Sequence, residues 1–131
     1  MVLVFAPGLP FVKSLLACLL YGAIAVPVYP PNPQVRKKLL LTRKKLKQDL
    51  PKFVKVVESC RAVVALTEST YYNKVVRLTL RVLDWPKLKW RKVEKAKKLP
   101  IPEPTEQTCK GSDVAFLQFT SGSTSDPKVG F

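Results

Sequence analysis

A chain of 131 residues with 47% apolar and 24% charged side chains is long enough for one hydrophobic core and too apolar to stay unfolded. It has no histidine, which excludes His-based acid–base catalysis, Ser-His-Asp triads and His-containing zinc sites. The 23 Lys and Arg against 9 Asp and Glu leave a net charge of +14, a pull toward anionic partners that says nothing about fold.

The charge is unevenly placed. Residues 1–35 carry only Lys13, the excess lies mostly between Arg36 and Lys98, and residues 101–126 carry four acids and one base. Cys18, Cys60 and Cys109 are odd in number and far apart, so neither a disulfide framework nor paired metal ligands is expected. Reduced thiols in a cytoplasmic protein are the expectation.

Val2-Leu3-Val4-Phe5 reads as a short strand, broken by Pro7-Gly8-Leu9-Pro10. Pro10 suits a helix start, where a missing amide proton costs little, and the helix runs to about Tyr21 before Gly22 stops it. Val26 and Val28 open a second strand. Residues 11–28 hold one charge in eighteen, and Ala23-Ile-Ala25 imitates a signal cleavage site. The proline breaks, Pro27 and the lack of a basic start argue instead for a buried strand–helix–strand, so no membrane span is expected.

From Gln34 to about Ser59, Val35, Leu39, Leu46, Leu50, Phe53, Val54 and Val57 recur at helical spacing, as one helix bent at Pro51 or two in succession. The opposite face carries Arg36, Lys37, Lys38, Arg43, Lys44, Lys45, Lys47, Lys52 and Lys55. A solvated face is the plain reading, and docking on a sheet explains the apolar stripe better than a membrane surface does. Arg61-Ala-Val-Val-Ala-Leu-Thr67 predicts a buried strand. A helix follows, with Glu68-Ser69-Thr70 as capping candidates and Val75, Leu78 and Val82 as its apolar side until Pro86. Trp85 and Trp90 are expected to pack locally. Residues 97–112, with Pro100, Pro102 and Pro104, read as an exposed connector into the strand Asp113–Phe119. Strands alternating with helices indicate an α/β fold with a partial, open, mainly parallel sheet and flanking helices.

After that strand stands Thr120-Ser-Gly-Ser-Thr-Ser125, then Asp126, Pro127 and Lys128: five hydroxyls and one glycine in six residues, before a cation. A loop with a flexible glycine, exposed amides and hydroxyl donors can wrap a phosphate, and the C-terminal end of a parallel strand is where such sheets bind ligands. No Walker sequence is present, and composition alone also allows a plain polar loop.

The segment Leu117-Gln-Phe-Thr-Ser-Gly-Ser-Thr124 with Pro127-Lys128 closely resembles the phosphate-binding motif of the adenylate-forming superfamily. Gly22-Ala-Ile-Ala-Val-Pro-Val-Tyr-Pro-Pro31, Arg61–Thr67 and Asp113–Gln118 stand in family order, and Val-Tyr-Pro-Pro is similar to the fatty acyl-AMP ligase branch. The resemblance covers about residues 2–128.

It implies activation of a fatty acid by ATP, with Mg2+ between phosphates, to an acyl-adenylate that passes to an acyl carrier protein or carrier domain. By carry-over, Thr120, Ser121, Gly122, Ser123 and Thr124 would cradle the β- and γ-phosphates and Lys128 would add mobile positive charge. Two departures stand out. Ser125 replaces the family's usual glycine, and Lys128-Val129-Gly130 replaces Lys-Gly-Val. If that glycine takes positive φ, serine strains the loop. The adenine and ribose contacts, the magnesium-associated glutamate, the acyl tunnel and the C-terminal domain with its catalytic lysine would lie beyond Phe131.

Residues 1–131 are therefore expected to be part of a large N-terminal domain, with a phosphate-binding loop at 117–128. No catalytic residue or metal ligand is assigned within the chain, and it is expected to be inactive alone. Two other readings stand beside this one: a basic module on residues 36–61 for nucleic acid or an anionic surface, and a non-enzymatic paralogue that keeps the fold for partner contacts. Without aromatics among the lysines, single-stranded nucleic acid has little to stack on, and nucleic acid is not the expected partner.

Overall fold

The computed structural model describes residues 1–31, 39–95, 110–120 and 128–130. Strand β1 (Val2–Val4) lies at the centre of a four-stranded sheet ordered β2-β1-β3-β4, with β2 spanning Val26–Val28, β3 Val64–Thr67 and β4 Lys89–Lys92. All three pairings are parallel, and Val4 stands opposite both Val28 and Thr67. Helix α1 (Leu9–Leu20) joins β1 to β2, and α2 (Leu39–Ser59) joins β2 to β3 on the other side of β1. Crossovers of the same right hand that step in opposite directions put their helices on opposite faces. Accordingly Val2 and Val4 pack with Leu46, Leu50 and Phe53 of α2, whereas Leu3 and Phe5 pack with Cys18 of α1.

Both long helices end in the same hydrogen-bond pattern. At α1, Gly22 N–H donates to the Leu19 carbonyl and Ala23 N–H to Cys18, with Gly22 at φ 62. At α2, Arg61 N–H donates to Glu58 and Ala62 N–H to Val57, with Arg61 at φ 48. This paired closure needs a left-handed residue, which glycine supplies freely and arginine only against steric resistance.

α2 runs unbroken through Pro51, the single-helix alternative of the sequence reading. Its buried side is Leu46, Leu50, Phe53 and Val57, as the spacing predicts, together with Val56. Val54 is half-buried, Val35 lies outside the described residues, and only the backbone of Leu39 is described. Lys44, Lys45, Lys47, Lys52 and Lys55 are exposed, the solvated face expected of them.

The helix after β3 departs from expectation. It consists of α3 (Ser69–Tyr71), a π-helical turn (Tyr72–Val76) and α4 (Arg77–Thr79), and its buried side chains are Tyr71, Val75 and Val76. Leu78 and Val82, expected on the apolar side, are 63% and 55% exposed. A π turn holds more residues than an α turn, so the phase slips and the side chains after it rotate away from the sheet.

Strand β4 was not foreseen, because Lys-Trp-Arg-Lys offers one apolar residue in four. That residue, Trp90, completes a cluster with Phe53 at 6.2 Å and Trp85 at 5.6 Å between ring centroids, so both tryptophans pack locally as predicted. Two buried hydrogen bonds brace this frame: Thr67 Oγ1 of β3 donates to the Val4 carbonyl of β1 at 2.8 Å, and Tyr71 Oη of α3 donates to the Pro31 carbonyl after β2 at 2.7 Å.

Arg61→Gly is expected to raise stability by about 0.5–1 kcal/mol, the usual relief of a non-glycine residue held at positive φ, and Tyr71→Phe to lower it by about 1 kcal/mol. Urea titrations of the two variants against the parent measure both. A fall for the glycine variant would refute the strain argument.

Candidate phosphate-binding loop

The strand predicted at Asp113–Phe119 is shorter and differently paired than expected. Residues 110–116 are exposed, and a single parallel bridge joins Phe116 to Ala25 beside β2. Ala25 N–H donates to Ala115 at 3.1 Å, and Leu117 N–H donates back to Ala25 at 2.8 Å. Beyond the bridge, β5 (Gln118–Thr120) pairs antiparallel with β6 (Lys128–Gly130) as a separate ribbon. The parallel strand thus gives way to an antiparallel ribbon.

The register of that hairpin fixes the geometry of the site. Gln118 pairs with Gly130, Phe119 with Val129, and Thr120 with Lys128. The first hydroxyl residue and the lysine of the motif are cross-strand neighbours, with Cα atoms about 4.5–5.5 Å apart as in any antiparallel pair. They close a loop of residues 121–127. Ser121, Gly122, Ser123 and Thr124, with Ser125, lie outside the described residues, as do residues 97–109 of the expected connector. Leu117 and Phe119 are partly buried against the α2-side core, which anchors the ribbon to the frame.

Because Phe116 runs parallel to Ala25, the chain from 116 to 120 heads in the same sense as β2, toward the carboxyl edge of the sheet. At that edge strand order reverses between β1 and β3, the place where open α/β sheets take ligands. The turn there is held by a contact that the sequence did not reveal. Ser69 N–H donates to both carboxylate oxygens of Glu94, and Ser69 Oγ donates to Oε2, all at 2.9 Å. Glu68, Ser69 and Thr70 were the predicted caps, yet Glu68 makes no capping bond and the acceptor comes from 25 residues further on. Burial pushes the Glu94 carboxyl up, but hydrogen bonds from its own amide and from Ser69, with Lys92 nearby, outweigh it and leave the pKa lowered.

On the α1 side of the sheet lies an open groove of about 910 Å³ lined by Leu9, Lys13, Leu66, Arg91 and Glu94, among others. None of its described lining residues belongs to 117–128, so groove and loop are separate features. Cys18 and Cys60 are free thiols, each held above the ordinary range chiefly by burial.

A profile of the AMP-binding enzyme family matches residues 1–129. The chain belongs to that family. It is 31% identical over 132 residues to the medium-chain-fatty-acid–[acyl-carrier-protein] ligase JamA of Moorena producens, a match covering 96% of this chain and 20% of that protein. Among solved structures it is similar to the fatty acyl-adenylate ligase of Legionella pneumophila in complex with acyl adenylate and pyrophosphate. The two are 32% identical with a TM-score of 0.67, over 98% of this chain and 19% of that one. The fold alone is shared with McyG A-PCP complexed with phenylalanyl-adenylate, at 24% identity and a TM-score of 0.73 over 98% of this chain and 18% of that one. The chain therefore spans about a fifth of the length of these relatives. The resemblance to fatty acyl-AMP ligases and the parallel α/β architecture are both borne out.

Magnesium is implied by the family. Among the described residues no three of His, Cys, Asp and Glu converge as a metal-binding group.

A lowered carboxylate pKa stabilises the fold above the unfolded-state pKa, and that contribution is lost as pH falls through the folded value. Glu94→Gln is expected to destabilise the chain at neutral pH, with the difference from the parent shrinking to nothing below the ordinary glutamate range near 4.5. Melting temperatures of both proteins across acidic pH test this. A gap that stays constant with pH would remove the ionised cap.

Proposed function

We propose that residues 117–128 are the ATP phosphate-binding loop of a fatty acyl-AMP ligase, carried on residues 1–131 as part of its large N-terminal domain. The observation that carries this reading is the Thr120–Lys128 pair, which closes the hydroxyl-rich loop on a ribbon held to the sheet through Ala25. Family membership supplies the ligand class. Thr120, Ser121, Ser123 and Thr124 would present hydroxyls and amides to the β- and γ-phosphates, and Gly122 would let the backbone come close. Lys128, a point charge on a flexible stem, would follow the phosphates as they move.

In the reaction so proposed, a fatty acid carboxylate oxygen attacks the α-phosphorus, the bond to the bridging oxygen breaks, and pyrophosphate leaves with its electron pair. The acyl-adenylate then passes its acyl group to a carrier protein, with release of AMP. Positioning and stabilisation of charge by preorganised donors are what the loop contributes. Residues 97–112 serve in this reading as the connector that delivers the loop. The cytoplasm, where isolated thiols stay reduced, is the fitting compartment. Since the chain spans about a fifth of its relatives, it does not complete this reaction alone in our reading.

A chimaera in which residues 1–131 replace the matching fifth of the Legionella pneumophila ligase tests the proposal through ATP–pyrophosphate exchange driven by fatty acid. Lys128→Ala is expected to lower exchange by roughly ten- to a hundredfold, the scale of a lost charge-assisted contact. If position 125 takes positive φ, Ser125→Gly is expected to raise it several-fold, the scale of relieving about 1–2 kcal/mol of left-handed strain. An active chimaera indifferent to Lys128→Ala would sink the assignment.

A further inference from the structure

The two outer faces of the molecule differ in character, and one of them is left without a role by the ligase reading. On the α1 side, Leu9, Val12, Leu16 and Leu19 are exposed around a single lysine. On the opposite side, α2 and the α3–α4 helix pack side by side over the sheet, sharing a core of Leu46, Leu50, Phe53, Tyr71, Val75 and Val76. What they turn outward is basic: Lys44, Lys45, Lys47 and Lys52 on α2, then Lys74 and Arg77 on the neighbouring helix and Arg81 in the turn that follows it, all exposed. At 100° per residue these α2 lysines cluster opposite the buried arc of Leu46, Leu50, Phe53 and Val57.

A second observation separates this face from an ordinary solvated one. Leu78, Leu80 and Val82 are 63%, 45% and 55% exposed, and they alternate with Arg77 and Arg81 along six residues. The π turn at Tyr72–Val76 shifts the phase of this stretch, and the turn after α4 is closed by Val82 and Leu83 N–H both donating to the Thr79 carbonyl. Exposed apolar side chains standing among bases at the end of a helix and in the turn after it match the interface of an anionic bilayer. There the bases sit at the headgroups and the apolar groups reach the acyl boundary. Nucleic acid would use the charge but not the leucines. Of the described rings beside this stretch, Tyr72 is half-buried under Lys92 Nζ at 4.6 Å, and Trp85 is half-buried with its Nε1 donating to Thr79 Oγ1, so neither presents a free face for base stacking.

We propose that the outer face of α2 and the α3–α4 helix, with Leu78, Leu80 and Val82, is a docking surface for anionic phospholipid membranes. Contact is peripheral, since no described helix is long and apolar enough to cross a bilayer. The inference goes beyond the ligase reading and does not depend on it.

The test is co-sedimentation of the 131-residue chain with phosphatidylcholine vesicles, with and without phosphatidylglycerol, at low and high salt. Binding is expected on the anionic vesicles only, and weaker at high salt. Reversing Lys44, Lys52 and Arg77 to Glu is expected to lower binding at least about tenfold. Reversing Lys13, Lys89 and Arg91, exposed away from this face, removes the same charge and should lower it far less. The triple change Leu78→Ser, Leu80→Ser and Val82→Ser should weaken binding with charge untouched, and unaltered fluorescence from Trp85 and Trp90 reports that the core is intact. Where a reversal variant fails that fluorescence check, the Lys44→Gln, Lys52→Gln and Arg77→Gln form replaces it. Equal loss from both charge sets, equal binding to neutral vesicles through the α1 face, or tighter binding to duplex DNA unaffected by the serine changes would each overturn the proposal.

Discussion

Burial of β1 on both faces is the constraint from which the rest of the fold follows. Val2, Leu3 and Val4 are almost wholly excluded from solvent, and a strand with no polar face must be covered by a helix on each side. Flanking it with β2 on one edge and β3 on the other satisfies its backbone groups and sends α1 and α2 to opposite faces. The reversal of strand order at β1 and β3 then marks one edge of the sheet as the place where loops gather. Thr67, completely buried, pins that edge by donating to Val4 across the strands.

The hairpin inherits its position from the same frame. One bridge residue, Ala25, gives and takes a hydrogen bond from the 115–117 segment, and two partly buried side chains, Leu117 and Phe119, hold the ribbon against the α2-side core. The loop it carries needs no hydrophobic content of its own. Pairing of Thr120 with Lys128 brings the two ends of the 121–127 segment together, and a segment whose ends are already joined has less closure entropy left to lose.

The asymmetry of the two outer faces belongs to the same logic. α1 is apolar on its inner and outer sides, whereas α2 is apolar on one side and basic on the other. A helix that is apolar all round is built to be covered, and one with a charged face is built to meet water or an anion. The relatives are about five times as long as this chain.

What the sequence by itself determined was what depends on near neighbours. Apolar runs gave β1, β2 and β3, the spacing of Leu46, Leu50, Phe53 and Val57 gave the buried side of α2, and Gly22 gave the end of α1. The hydroxyl-rich run at 120–125 stood out in the sequence because residue type is a local property. Only the tertiary structure decided what depends on distant partners. Lys-Trp-Arg-Lys became β4 because β3 offered it a pairing edge, and Ser69 found its cap in Glu94, 25 residues away. A π turn shifted the phase of the helix after β3 and turned Leu78 and Val82 outward. The last strand became a hairpin because β6 pairs with it. Local pattern carries hydrophobic period and turn chemistry, whereas edge pairing, remote caps and helical phase are settled when separate parts of the chain meet.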